Sequence, residues 1–333
     1  MTRVRVSGTP GGPPHALKRV VVTDHAFASL EVESTAARSN GAVFEVRDCR
    51  TEDETVEAVR GATVALVNLA PITRKVLMGM APGAVVVRYG VGYDNVDLDA
   101  ARDLGIAVAN AVGYGTASVA DHAAALLLSV LRRLPQFDNA VHMAQWPMAT
   151  AFGRILSFET MTVGLVGTGR IGLALADRLR GFGFDLLAFD PLIDPQVAAE
   201  HGVHLVEFDE LVCRSAAVSL HAPLTSATRH ILDARALALL PRGAVVINTA
   251  RGGLLDTAAL IDAVRLGHIA GAALDVHEDE PIPAGSALLG DRRFLLTPHV
   301  AFYNETSVVQ LQRLAADEVE RALTGMPPIN CVN

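Results

Sequence analysis

A chain of 333 residues is long for a single domain, and length alone favours two. Half of it is hydrophobic and 19% is charged, the composition of a globular protein with a large core to bury. A net charge of -8 with no long basic block argues against nonspecific nucleic-acid binding, which rests on Lys and Arg neutralising phosphates.

The opening MTRVRVSGTPGGPPHALK places charges and a Gly/Pro tract where a signal peptide would carry an apolar core, so residues 1–16 read as a disordered leader. Four apolar, β-branched runs follow: RVVVTD, AVFEV, TVALVN and AVVVRYG. After the small-residue stretch AVGYG comes one long helical segment, TASVADHAAALLLSVLRRL, which marks a domain boundary. Its AAALLLSVL is the longest apolar run and is too short to span a bilayer, for which about 18 uncharged residues are needed. Later strands are expected at TVGLVG, DLLAFD, AAVSLHA, AVVINTA, GAALDV and RFLLTPH, with amphipathic helices such as IGLALADRLRGFG and TAALIDAVRLG between them. A last helix runs from about Ser307 to Gly325 and could return onto the first domain.

Continuous rather than alternating apolarity implies strands covered on both faces, as in parallel sheets. The fold class is therefore α/β, doubly wound, in two units. Cys49, Cys213 and Cys331 lie far apart without CxxC pairing, which predicts free thiols and a cytoplasmic chain. No membrane partner, nucleic-acid partner or metal is expected.

TVGLVGTGRIGLALADRLRGFGFDLLAFDP carries Gly167, Gly169 and Gly172 in G-x-G-x-x-G spacing. A strand pattern precedes the glycines, a helix follows, and a second strand ends in Asp190, as a dinucleotide site requires. Gly167 permits the tight turn, Gly169 lets the backbone approach a pyrophosphate, and Gly172 lets the helix pack on the strand. The helix N-terminus, at Arg170 and Ile171, would supply N–H donors and a positive dipole end. Asp190 would accept from the adenosine ribose and repel a 2′-phosphate, which favours NAD.

Three further loops follow strands of the same unit, where open α/β sheets bind ligands. NTARGGLLD presents Arg251, LDVHEDEP presents a crowded set of acids, and TPHVAFYNE presents His299. The HEDEP stretch admits a metal site, a solvated acidic loop, a helix cap or one catalytic carboxylate. An arginine, a carboxylate and a histidine beside a nicotinamide would form a working set.

These segments resemble the D-isomer-specific 2-hydroxyacid dehydrogenase family. YGVGYDNVDLDAARDLGIAVAN, GLVGTGRIG, LHAPLT, NTARGG, ALDVHEDEP and TPHVAFYNETS match it in order, from Ala84 to Ser307. HVAFYNETS and INCVN look most like its C-terminal-binding-protein branch. The resemblance implies a flavodoxin-like substrate domain over 1–112 plus 310–333 and a Rossmann NAD-binding domain over 113–309, with the active site in the cleft between them. It makes Arg251 the substrate arginine, Glu280 the catalytic glutamate and His299 the acid–base histidine. Arg88 and the backbone of Val91 and Gly92 would join Arg251 and His299 in holding the substrate. His221, Ala222, Pro223, Thr228, Thr249, Ala250, Arg251, Asp275 and His299 would line NAD beside the glycine loop, Asp275 meeting the nicotinamide carboxamide.

The chemistry is coherent. A planar guanidinium at Arg251 offers two donors to a 2-oxo acid, and His299 as imidazolium would protonate the developing alkoxide. An ionised Glu280 would favour that charged ring and fix its orientation. Related formate dehydrogenases use glutamine there, since their substrate needs no proton transfer. Glu278 and Asp279 read as solvated loop carboxylates, His277 as structural or solvated, and Trp146 as a packing or interface residue. Phe302 stands where the C-terminal-binding-protein branch often has tryptophan. The resemblance also implies a homodimer through the NAD-binding domain, with helix 116–134 as its contact. The function expected is interconversion of a 2-oxo and a D-2-hydroxy acid. The rival is a nicotinamide-sensing interaction protein with secondary activity.

Overall fold

In the computed structural model, which describes residues 17–333, the early apolar runs form strands joined by short helices. The expected leader, 1–16, lies outside the described residues. The chain divides into two units, one ending at Tyr114 and resuming at Val308–Asn333, the other covering Gly115–Ser307.

The first unit runs β1 (Arg19–Val22), α1 (Glu31–Ser39), β2 (Val43–Val46), α2 (Glu52–Val59), β3 (Val64–Val67), α3 (Arg74–Leu77), β4 (Val85–Arg88), α4 (Leu98–Asp103) and β5 (Ala107–Asn110). Its five strands are all parallel in the order β2-β1-β3-β4-β5, the flavodoxin-like winding that the resemblance implies. Thr51 starts α2 with a reciprocal capping box: Glu54 N–H donates to its hydroxyl, and the Glu54 carboxylate accepts from the Thr51 N–H. Alternate residues of the strands feed two cores, Val21, Ala65 and Val86 on one face and Val20, Val22 and Leu66 on the other. The last helix of the chain adds Leu311, Ala315, Val319 and Leu323 to the second of these cores. Beyond it, Val332 N–H donates to the Val108 carbonyl at 2.9 Å and ties the tail to β5.

The second unit starts with α5 (Thr116–Leu131) and α6 (Leu134–His142). It continues through β6 (Thr162–Val166), α7 (Arg170–Arg180), β7 (Asp185–Phe189), α8 (Pro195–Glu200), β8 (His204–Leu205), α9 (Phe208–Arg214) and β9 (Ala217–Leu220). Then come α10 (Ala234–Leu239), β10 (Ala244–Asn248), α11 (Thr257–Arg265), β11 (Ile269–Leu274) and β12 (Phe294–Leu296). The helix α12 (Glu305–Thr324) starts here and passes into the first unit. Seven parallel strands lie in the order β12-β11-β10-β9-β6-β7-β8. The winding reverses between β6 and β9, which is where open α/β sheets bind dinucleotides.

The expected single helix over 116–134 is two helices. Arg133 takes a left-handed conformation, φ 58°, and α6 begins anew with proline in its first turn. The apolar side of α5 is spent within its own unit: Ala123, Leu126, Leu127 and Val130 pack on Val163, Leu165 and Ile247. Exposed apolar surface lies just downstream, at Leu134, Val141, Met143, Trp146 and Met148, with Trp146 90% exposed rather than packed. Among the described residues, no helix is long and apolar enough to cross a membrane.

Candidate active site

The glycine turn after β6 is closed on two sides. Gly167 sits at φ 92°, a conformation that favours glycine, and a Cβ there would lie 2.7 Å from Ala222 N and 2.8 Å from the His221 carbonyl carbon. A Cβ on Gly172 would collide with the Gly167 carbonyl oxygen. Gly169 differs, because nothing lies within 4 Å of its virtual Cβ. It starts α7 with no side chain capping the helix, so the N–H groups of the Arg170–Ile171 turn meet no capping oxygen. Space at Gly169 above uncapped donors fits a pyrophosphate.

Asp190, at the end of β7, holds this turn as well as offering oxygen atoms. One oxygen accepts from Thr168 N–H at 2.7 Å and from its hydroxyl at 3.0 Å, and the other accepts from Leu192 N–H at 2.9 Å. Burial alone would raise the carboxyl, but these donors outweigh it and hold Asp190 below the ordinary range. It is therefore an ionised, acceptor-only group, the character that a ribose hydroxyl needs in its partner. Thr168, buried inside the GTG turn, was the signal for this role.

The loop after β9 carries His221, whose Nε2 meets the Ser219 hydroxyl at 2.8 Å. Burial pushes its ring down to about 4, so it is neutral at physiological pH. His221 Nδ1 and Thr249 Oγ1 are buried polar atoms with no hydrogen-bond partner among the described residues. Such atoms call for a partner, which a bound cofactor would supply. Thr228, in contrast, spends its hydroxyl on the loop itself, donating to the Pro223 carbonyl at 2.6 Å while Thr225 N–H donates to it at 2.8 Å.

Arg251 follows β10 and is half-buried, with Nη1 donating to the Ala250 carbonyl at 2.7 Å. Asn248 braces the turn from inside, donating to the Arg251 carbonyl at 2.9 Å and accepting from Ala250 N–H at 3.1 Å. Gly252 lies so close to the His277 carbonyl that a Cβ would overlap it, which brings the Arg251 loop against the HEDEP loop.

Within HEDEP the three acids part company. Glu280 Oε2 lies 2.8 Å from His299 Nδ1, and its Oε1 accepts from His277 N–H at 2.9 Å. Burial would raise this carboxyl, but the His299 ring and the His277 N–H outweigh it and hold it below its usual value. The pair keeps solvent access, with side chains 38% and 37% exposed. Glu278 is no solvated carboxylate: it meets His230 Nε2 at 2.7 Å and accepts from Thr257 N–H at 3.0 Å, pinning the loop to α11. Among the described residues, no cluster of three His, Cys, Asp or Glu could hold a metal ion.

Asp275, expected to meet the nicotinamide carboxamide, directly follows β11. It is fully buried, and its carboxylate accepts from Val300 N–H and Ala301 N–H at 2.9 Å each and from the Thr297 hydroxyl. In this geometry it organises the turn that carries His299, which itself has φ 54°. Arg88, Val91 and Gly92 belong to the first unit, at and after the end of β4. There Asn110 donates to the Val91 carbonyl at 2.6 Å, and Arg88 Nη1 donates to the Tyr89 carbonyl.

Comparison with known proteins agrees with this reading of the second unit. Residues 124–301 match the model for the D-isomer specific 2-hydroxyacid dehydrogenase NAD binding domain. A D-3-phosphoglycerate dehydrogenase of Archaeoglobus fulgidus is 33% identical over 297 residues, 89% of this chain and 56% of that protein. The chain thus spans about half the length of such relatives. A glyoxylate reductase of Korarchaeum cryptofilum is 37% identical over 81% of this chain and 82% of its own. The D-lactate dehydrogenase of Aquifex aeolicus, solved with NAD and lactic acid, superposes with a TM-score of 0.85 at 26% identity, covering 94% of this chain and 98% of that one. With a reversed β6–β9 winding, an open pyrophosphate turn and this match across its nucleotide-binding half, the chain belongs to the D-isomer-specific 2-hydroxyacid dehydrogenase family, and its cofactor is NAD.

Proposed function

We propose that the chain is an NAD-dependent dehydrogenase interconverting a 2-oxo acid and a D-2-hydroxy acid. The observation that carries this reading is the His299–Glu280 pair at 2.8 Å, in the unit that holds the open pyrophosphate turn and the Arg251 loop. Bound NADH supplies a hydride to the substrate carbon, and NAD accepts one in the reverse direction. Arg251 binds the substrate carboxylate and polarises its carbonyl through a two-donor fork. His299, as imidazolium, delivers a proton to the alkoxide oxygen and takes the hydroxyl proton in oxidation. Glu280 accepts from His299 Nδ1–H, which leaves Nε2 as the proton-transferring atom. The first unit is the substrate-binding domain of this reading, with Arg88 and the backbone of Val91 and Gly92 as its substrate-binding groups.

The experiment is a panel of 2-oxo acids followed by NADH absorbance, with His299→Ala alongside. Turnover by the intact protein and its loss in the variant, by about 10²–10⁴-fold, is expected. A His299→Ala protein with near-normal turnover would sink the assignment. No turnover across the panel, with tight NADH binding retained, would favour a nicotinamide sensor that recruits partners.

The exposed apolar residues from Leu134 to Met148 form the subunit contact of a homodimer in this reading. Light scattering on the intact protein tests it, and a monomeric mass would rule it out.

A further inference from the structure

Three side chains outside the proposed chemistry converge on the segment that carries His299. His122, on α5, places Nε2 at 3.1 Å from the Thr297 hydroxyl and at 3.6 Å from Asp275 Oδ1. Ser118, one turn earlier on the same helix face, donates to the Ala301 carbonyl at 2.8 Å. From the other side, His277 Nε2 lies 3.1 Å from the Thr297 carbonyl oxygen.

We propose that His122 and Thr297, acting through Asp275, are positioning residues that hold the His299 turn and so aim its ring at Glu280. The proposal rests on the dehydrogenase reading for its catalytic consequence, but its geometry stands without it.

Donor counting orders the chain. The Thr297 hydroxyl has one proton, and it is directed to the Asp275 carboxylate, which can only accept. The same oxygen can then only accept from His122, so His122 carries a proton on Nε2. His277 faces a carbonyl oxygen and must donate from its own Nε2 for the same reason. Asp275 takes the order onward: its two oxygens accept from Val300 and Ala301 N–H, and its backbone carbonyl accepts from His299 N–H at 2.7 Å. Among the described residues, every partner of the carboxylate is therefore either within residues 297–301 or is His122.

This arrangement answers a specific demand. His299 has φ 54°, a conformation that L side chains rarely adopt, and it persists only where neighbours over-determine it. Residues on both sides of it are tied to one buried carboxylate, and that carboxylate is itself kept in register by Thr297 and His122. Packing alone would not require a fully buried carboxyl group, whose burial is costly unless it is hydrogen-bonded, as the Thr297 hydroxyl and the Val300 and Ala301 N–H groups make it. The His122 and Ser118 pair clamps positions 297 and 301, the two ends of the turn.

The test compares Thr297→Val, Thr297→Ser and His122→Phe in the full chain. Readouts are kcat and KM with a 2-oxo acid, NADH affinity, thermal unfolding, and histidine ring nitrogen NMR. A slight misdirection of a reacting group costs on the order of 10²-fold, so Thr297→Val and His122→Phe should lose about 10- to 100-fold in kcat. NADH affinity should hold, and Thr297→Ser should recover most of the loss. In the intact protein, NMR should show His122 protonated on Nε2, with the His299 ring signals shifted in Thr297→Val. Equal damage in Thr297→Ser and Thr297→Val would overturn the proposal, as would unchanged kcat in both Thr297→Val and His122→Phe. A His122 bearing its proton only on Nδ1 would overturn it too. If Thr297→Val fails to fold, the His122→Phe kinetics and the His122 tautomer decide. Should the intact protein turn over no 2-oxo acid, the dehydrogenase reading fails, whereas the tautomer and the His299 shifts still judge the positioning chain.

Discussion

Adding one methyl group at Gly169 separates ligand space from structural space in the glycine turn. Gly169 has φ −66° and ψ −168°, which alanine adopts without strain, and nothing lies within 4 Å of its virtual Cβ. Gly169→Ala should therefore cost the fold no more than about 1 kcal/mol, mostly from a poorer residue at the start of α7. A pyrophosphate oxygen must approach to about 2.9 Å of the turn's N–H groups to form hydrogen bonds, and the methyl occupies that approach. Losing one such bond to a charged group is worth about 1.5–3 kcal/mol. The NADH dissociation constant should then rise by about 10- to 100-fold. Gly172→Ala is the contrast, because its Cβ would overlap the Gly167 carbonyl oxygen inside the turn. It should lose stability by about 1–3 kcal/mol as well as affinity. Calorimetric NADH titration and urea unfolding of both variants supply the numbers. A Gly169→Ala protein that binds NADH as the parent does would refute the placing of the pyrophosphate at this turn.

Arg251→Lys should raise KM for the 2-oxo acid and lower kcat together, since an ammonium cannot present the fork; steady-state kinetics with both parameters unchanged would remove the bidentate argument. Glu280→Gln should leave NADH affinity intact and depress turnover, because an amide cannot stabilise the imidazolium at 2.8 Å, and an unaltered kcat would exclude that role. For His221, burial lowers the folded-state value from 6.5 to about 4, so the unfolded chain binds the proton first as pH falls. Its contribution is complete above pH 6.5 and is lost progressively towards about pH 4. The loss is at most about 3 kcal/mol, less for the part of the ring that stays exposed. Urea midpoints from pH 7.5 downwards check this, and a His221→Gln protein with the same pH slope as the parent would contradict it.

Much of the fold could be read from the chain, and the omissions have physical causes. Runs such as TVALVN and AVVINTA announce strands because β3 and β10 are buried throughout. AVAN, which forms β5, lacks that density of β-branched residues, and β8 is only two residues long. Pro135 marks the break between α5 and α6, but the apolar pattern of 116–134 runs straight through it. Neither strand order follows from local pattern, because order depends on which strands meet in space. Glycine spacing and Asp190 were legible because the turn and its acid lie on adjoining strands. The choice of Glu280 came from family likeness, and HEDEP by itself could not tell it from Glu278. The link from His122 to Thr297 spans 175 positions, with no motif to join them.

The division of the chain into one interrupted unit and one continuous unit sets an order of synthesis. Gly115–Ser307 is a single stretch, complete in core and sheet once the ribosome has passed it. The first unit is begun earlier yet finished later, because Leu311, Ala315, Val319 and Leu323 fill one face of its sheet. Until those residues emerge, that face is covered only in part, by residues such as Ala37 and Leu30, and the remainder is available to other apolar surfaces. The nascent chain is thus most exposed to misassembly while its nucleotide-binding half is already in place, and loss of α12 would unmake the half that was translated first.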